Sequence, residues 1–236
     1  MSTTVYTYND KVLKNVTTNK WLKAPSDPYN PLDLPPNTVR VRTNDGNVPI
    51  KGSITSYDTA TLVPGTSDVY DVYKSGISFN NLLRGSYNIT EVLGANTTGV
   101  RNMATMFYYC SDLTSVPLFD TSSVTNMGNM FDGCSSLTSV PLFDTSSVTY
   151  MGYMFSECTN LTTVPLFNTS KVTNMDSMFY YCTKVQSGAL SLYQQASSQT
   201  TPPSSHSDTF LECGSNTVTG AAELAQIPTS WGGNAS

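Results

Sequence analysis

Five cysteines and a single histidine are the side chains of this 236-residue chain best suited to nucleophilic or metal chemistry. Cys110, Cys134, Cys158 and Cys182 recur every 24 residues, and Cys213 stands apart. One thiol per 24 residues, with no second ligand type in phase, is a poor metal set. A regular spacing of this kind marks a repeat and not a disulfide framework. The thiols are therefore expected to act as small buried hydrophobes. His206 lies between Ser204 and Asp208 in a polar stretch. Neighbours in sequence rarely reach the geometry of a Ser–His–acid site. No catalytic residue, metal ligand or cofactor is assigned, and the chain is expected not to be an enzyme.

Binding is the chemistry that remains. Tyr108, Tyr109, Tyr153, Tyr180 and Tyr181 fall outside the recurring apolar columns, at positions that vary from copy to copy, as do Asn129, Asp132 and Glu157. Outward tyrosines offer amphipathic contact area at low entropic cost. The alternative is that they pack on adjacent copies or on a neighbouring subunit. A second candidate face is Ser115, Ser139 and Thr163, with Glu91 in the same column and prolines beside it. It is small and polar and would suit a glycan or a protein.

The elements that must position these side chains follow from the repeat. Met103, Met127, Met151 and Met175 are in phase, as are Met106, Met130, Met154 and Met178, and Phe107, Phe131, Phe155 and Phe179. Residues 103–126 and 127–150 share 18 of 24 positions, so the copies must adopt one conformation. Met127, Met130, Phe131 and Cys134 have the i, i+3, i+4, i+7 spacing of a helical stripe, with Thr125 or Asn126 as its N-cap. Leu137-Thr-Ser-Val140-Pro-Leu142 fits the strand pattern L-x-x-L-x-L. Pro117, Pro141 and Pro165 lack a ladder donor, so those strands should be very short. The expected fold is an α/β repeat solenoid: leucine-rich-repeat-like coils with short parallel strands, short helices and an N-terminal β cap. Thr97, Thr121, Thr145 and Thr169 should cap turn backbone. Phe119, Phe143 and Phe167 form either a second core row or an exposed strip, and core is the expectation.

A worn copy begins at Phe79, and the pattern fades near Leu190. The expected organisation is an extended, proline-rich arm over 1–36, a small β cap over 37–78, the repeats over 79–193 and a C-terminal cap over 194–236. Charged residues make up only 12%, and the net charge is −5. Residues 103–182 carry Lys171 against five aspartates and Glu157. Nucleic acid is therefore not the expected partner, since phosphate binding needs clustered Lys and Arg. No apolar run approaches a membrane span. The first residues lack a basic and then apolar leader, so no export signal is expected there.

The column set Val-Thr-x-Met-x-x-Met-Phe-x-x-Cys-x-x-Leu-x-x-Val-Pro-Leu-Phe-Asp-Thr-Ser, over about residues 79–190, resembles the BspA-like leucine-rich repeat family. That resemblance implies a surface protein that mediates adhesion. The arrangement of repeats behind a compact leader also looks like tail or fibre proteins of phages. The functional expectation is a virion structural or binding protein, a phage tail or fibre component. It would attach to the particle by its N-terminal part and meet a host-surface glycan or protein through the repeats. A bacterial cell-surface adhesin-type protein is the alternative. Partners would be other virion or surface proteins, with oligomers allowed.

Overall fold

The computed structural model describes residues 34–50 and 55–235 together with the strand segments β1 (Val5–Tyr8), β2 (Lys11–Asn15) and β3 (Lys20–Trp21). Those three form an antiparallel sheet in the order β1-β2-β3. Most of the proline-rich part of the expected arm, residues 24–33, lies outside the described residues.

A second sheet has four antiparallel strands in the order β5-β6-β4-β7, formed by β4 (Thr38–Thr43), β5 (Thr59–Leu62), β6 (Val69–Tyr73) and β7 (Ile89–Asn96). Its strands are rich in β-branched and aromatic residues, which fit a pleated, half-buried surface. Val39, Val41 and Val72 enter the core. On the other face of β4, Arg40 grips Asp71 with two bonds of 2.6 and 2.8 Å, and Arg42 reaches Asp68 at 3.0 Å and Glu91 at 3.3 Å. β7 belongs to the worn first copy, so the sheet draws its fourth strand from beyond the expected 37–78 cap.

The expected α/β leucine-rich-repeat solenoid is overturned. Among the described residues the regular elements are the antiparallel sheets, two α-helices, α1 (Ala189–Ser197) and α2 (Val218–Leu224), and a short 3-10 helix (Thr229–Trp231), all three helices C-terminal to the full 24-residue copies. Residues 97–188 hold no helix and no extended strand, only turns joined by single parallel bridges.

The helix fails for a backbone reason. Asn129 and Gly133 are left-handed, with φ of +55° and +74°, and so are Thr105, Tyr109, Tyr153, Glu157, Ser177 and Tyr181 at the equivalent positions. A left-handed residue every fourth position breaks the i→i−4 ladder. The N–H groups that a helix would turn inward instead reach the next copy: Met127 to Tyr150 O, Asn129 to Gly152 O, Phe131 to Met154 O and Gly133 to Ser156 O, at 2.9–3.0 Å. The intervening Met130, Asp132 and Cys134 close local four-residue turns on Met127, Asn129 and Phe131. Asn126 does not cap a helix; its Oδ1 accepts from Gly128 N at 2.9 Å, an Asx turn.

The strands fail because proline removes a donor. Around Pro117, Pro141 and Pro165 the only bridges are the single pairs Glu91–Ser115 and Thr163–Ser187. Leu142, at the last leucine position of the expected strand pattern, and Leu166 in the same column are 61% and 53% exposed.

The methionine, phenylalanine and cysteine columns are nevertheless buried. Met127, Met130, Phe131 and Cys134 have no exposed surface, and Phe119, Phe143 and Phe167 are at most 3% exposed. The phenylalanines stack in two rows. Phe107, Phe131, Phe155, Phe179 and Phe210 follow one another at 5.3–6.0 Å, and Phe119, Phe143 and Phe167 at 5.5 and 6.4 Å. Thr97, Thr121 and Thr145, all buried, donate to the carbonyls of Asp120, Asp144 and Asn168 in the following copy at 2.9 Å.

Phe210 and Cys213 extend the columns one copy further, at an offset of 31 from Phe179 and Cys182. The helix α1 accounts for the added length. Asp208 and Glu212 are left-handed like Ser177 and Tyr181, and Phe179 N donates to Thr209 O. This copy was not apparent from the 24-residue period. Trp231 closes its outer side, stacked on His206 at 4.1 Å and against Phe210 at 6.5 Å, with Phe210 N donating to Trp231 O. At the opposite end, Thr55 Oγ1 donates to Arg84 O, and Ser56 N donates to Asn81 O. Among the described residues no helix is long and apolar enough to cross a membrane.

Candidate functional site

The left-handed residues line up across copies. Gly85, Tyr109, Gly133, Glu157 and Tyr181 occupy one column, all with φ between +56° and +74°. The side chains in this column, Tyr109, Glu157 and Tyr181, are all exposed to solvent. Tyr109 and Tyr181 are 46% and 44% exposed.

Gly133 shapes the column. A Cβ built there would lie 2.9 Å from Tyr109 Cγ, so the Tyr109 ring rests directly on glycine backbone. From there the Tyr109 hydroxyl comes within 3.5 Å of Glu157 Oε2. The Glu157 carboxylate beside it, helped by partial burial, pushes the Tyr109 phenol above its ordinary pKa. Tyr180 and Tyr181 form a tilted pair with centroids 4.6 Å apart, as do Tyr108 and Tyr109. Arg84 lies 4.0 Å over the Tyr108 ring and holds it from the other side.

Together these residues bound an open groove of about 540 Å³. Its ends are Tyr109 and the Tyr180–Tyr181 pair, its middle is Gly133 and Glu157, and its shelf is Ser111, Ser135 and Thr159. The shelf hydroxyls repeat every 24 residues. Ser135 Oγ and Thr159 Oγ1 each reach back to the carbonyl of the preceding shelf residue, at 3.4 and 3.5 Å. Such long bonds leave the hydroxyls free to re-aim. Asp132, nearby, is buried, and its carboxyl pKa is raised by desolvation although Asn129 Nδ2 donates to it at 3.0 Å.

Of the tyrosines singled out in the sequence, Tyr109, Tyr180 and Tyr181 line this groove, and Tyr108 braces it from outside. Tyr153 is exposed in the other left-handed column and does not line it. Ser115, Ser139 and Thr163 are exposed in the proline-bearing segments, away from the groove lining. Gly133, Ser111, Ser135 and Thr159 were not foreseen as part of a site. Glycine at a column otherwise held by Tyr and Glu was the available signal.

The residues with nucleophilic chemistry are engaged elsewhere. Ser204 Oγ donates to Thr173 O at 3.1 Å, and His206 Nδ1 lies 3.1 Å from Ser230 O. The thiols of Cys110, Cys134, Cys158 and Cys182 donate to the carbonyls of Leu83, Phe107, Phe131 and Phe155 at 3.0–3.1 Å. Burial pushes Cys110 up to about 12 and raises the other four thiols as well. No cluster of three or more His, Cys, Asp or Glu side chains able to hold a metal ion occurs among the described residues.

No curated protein and no solved structure matches the chain. Residues 77–193, which contain the whole groove, match the family described as Mycoplasma protein of unknown function, DUF285.

Proposed function

We propose that this chain is a non-enzymatic binding protein that attaches to a surface through the Tyr109–Glu157–Tyr181 groove, carried as a structural component of a phage tail or fibre. The observation that carries the binding reading is the groove itself: exposed tyrosines held in fixed positions by left-handed backbone on a well-packed stack. A site built this way loses little entropy when occupied. The part of the chain before the repeats would attach it to the particle.

The match of residues 77–193 to a family with the BspA-like repeat favours a second setting, the bacterial cell surface, with the same groove in use. Two measurements test the proposal. Mass spectrometry of purified virions should find the chain as a stoichiometric component, whereas recovery from the bacterial envelope and not from particles would favour the second setting. Fluorescently labelled full-length chain should attach to host cells. Failure to attach to any candidate host surface would overturn the binding reading.

A further inference from the structure

We propose that the groove between Tyr109 and Tyr181 binds a linear, neutral oligosaccharide, with Glu157 and the Ser111–Ser135–Thr159 shelf reading its hydroxyls. The inference rests on the surface-binding reading and names the ligand class for that site.

Four features select this ligand. Aromatic faces carry negative charge density, and the C–H face of a pyranose stacks on them. Tyr109 offers such a face in a fixed place, since its opposite face is occupied by Gly133. Tyr180 and Tyr181 offer a second, beyond Glu157. The Glu157 copy separates the two platforms, so they suit non-adjacent sugars of a chain laid along the stack, with the sugar between them over Glu157.

The second feature is the carboxylate. Glu157 is exposed, and the Tyr109 hydroxyl at 3.5 Å leaves most of its acceptor capacity open. An ionised carboxylate can accept from two adjacent hydroxyls at once, the diol pattern of a pyranose. The shelf adds hydroxyls that both donate and accept, one per copy, at a spacing of about 4.8 Å. A glycan with one sugar per copy would meet one shelf hydroxyl with each unit.

The third feature is charge. Residues 103–182 hold six acidic side chains against Lys171, and Glu157 stands in mid-groove. Sialylated, sulfated or uronic sugars would be repelled, which leaves neutral ones. The fourth concerns the backbone. A peptide added as a strand needs free N–H and C=O groups at an edge. Here Tyr109, Gly133, Glu157 and Tyr181 already donate their N–H groups to Asp132, Ser156, Tyr180 and Leu211 of the following copies. A volume of about 540 Å³ also sits in the ~300–1,000 Å³ range of small-ligand sites.

The test is a printed panel of neutral di- to tetrasaccharides of glucose, galactose and N-acetylglucosamine, with sialylated counterparts. It is probed with the labelled full-length chain and followed by titration calorimetry on the best binder. Glu157→Gln keeps size and shape, and Tyr181→Asn keeps a residue tolerant of the left-handed backbone. Each should weaken binding by about tenfold or more, with unchanged circular dichroism. Tyr87→Asn, on an exposed tyrosine outside the groove, should bind as the parent does. If the chain attaches to host cells but captures no neutral glycan, or captures sialylated ones equally well, the glycan assignment is overturned while surface binding stands. Equal binding by parent, Glu157→Gln and Tyr181→Asn would remove the glycan from this groove. Failure of the parent chain to attach either to cells or to glycans would end the surface-binding reading itself.

Discussion

Alkaline pH should unfold this protein through its cysteines, and replacing one of them should change the slope of that response. Five thiols are fully buried, and burial raises the pKa of each. In the unfolded chain a thiol ionises near pH 8.5–9. In the folded chain Cys110 holds its proton to about 12. Above pH 9 the unfolded state therefore binds fewer protons than the folded one, and stability falls as pH rises. The stabilisation is complete below the unfolded pKa and is lost progressively up to the folded one. Each thiol contributes a slope of roughly 1.4 kcal/mol per pH unit in that window. Five in parallel give about 7 kcal/mol per unit, comparable with the whole stability of an ordinary domain, ~5–15 kcal/mol. Tyrosine ionisation overlaps this range, so the decisive measurement is a difference. Urea unfolding of the parent and of Cys134→Ala would be followed from pH 7 to 11. At pH 7 the variant should be less stable by about 1–2 kcal/mol, because it loses packing and the thiol's bond to the Phe107 carbonyl, which keeps the Cys110 N–H. Above pH 9 its curve should fall less steeply by about 1.4 kcal/mol per unit, so that the two curves converge and cross. Parallel curves across the range would refute the argument.

Three further outcomes are expected. Phe143→Ala removes a ring stacked between Phe119 and Phe167 and against Phe131; urea unfolding should show a loss of about 3–5 kcal/mol. Thr145→Val removes the bond from the buried Thr145 hydroxyl to Asn168 O; the loss should be about 0.5–1.5 kcal/mol by the same assay, the net worth of one such bond. Gly188→Ala should fail to fold or lose its C-terminal end by limited proteolysis, because φ is +100° and a Cβ would lie 2.2 Å from Val164 O.

The sequence was a good guide to which side chains are inside and a poor guide to how the backbone holds them there. Met127, Met130, Phe131 and Cys134 share a face in an α-helix, but they share it equally well in a chain of turns with a left-handed residue every fourth position. Periodicity reports the buried face and is silent on hydrogen-bond partners. Asn129 and Gly133 are ordinary left-handed residues. Tyr109, Glu157 and Tyr181 are not, and only alignment with Gly133 would have revealed that their column turns outward. Leu142 and Leu166 occupied strand positions in the pattern, but the adjacent prolines left no ladder to fix their direction. Phe210 and Cys213 stand outside the 24-residue period because α1 shifts them out of phase. In the groove the tyrosines were legible as variable, off-stripe positions. The shelf was not, because Ser111, Ser135 and Thr159 recur like structural residues.

The forward N–H bonds give the protein a grammar of growth. In the turn segments from Phe79 to Tyr181, each copy donates four N–H groups to the next and receives four from the one before. The beginning is therefore left with bare acceptors, and the Thr55 and Ser56 hydroxyls donate to two of them, Arg84 O and Asn80 O. Every interior junction has the same chemistry, so a 24-residue unit inserted or deleted in the middle leaves both closing ends correctly matched. Neighbouring units as alike as 103–126 and 127–150 invite such changes by unequal recombination of the gene. Each added unit would lengthen the groove by one rung, and the length of the surface feature recognised could then evolve by counting units instead of redesigning a site.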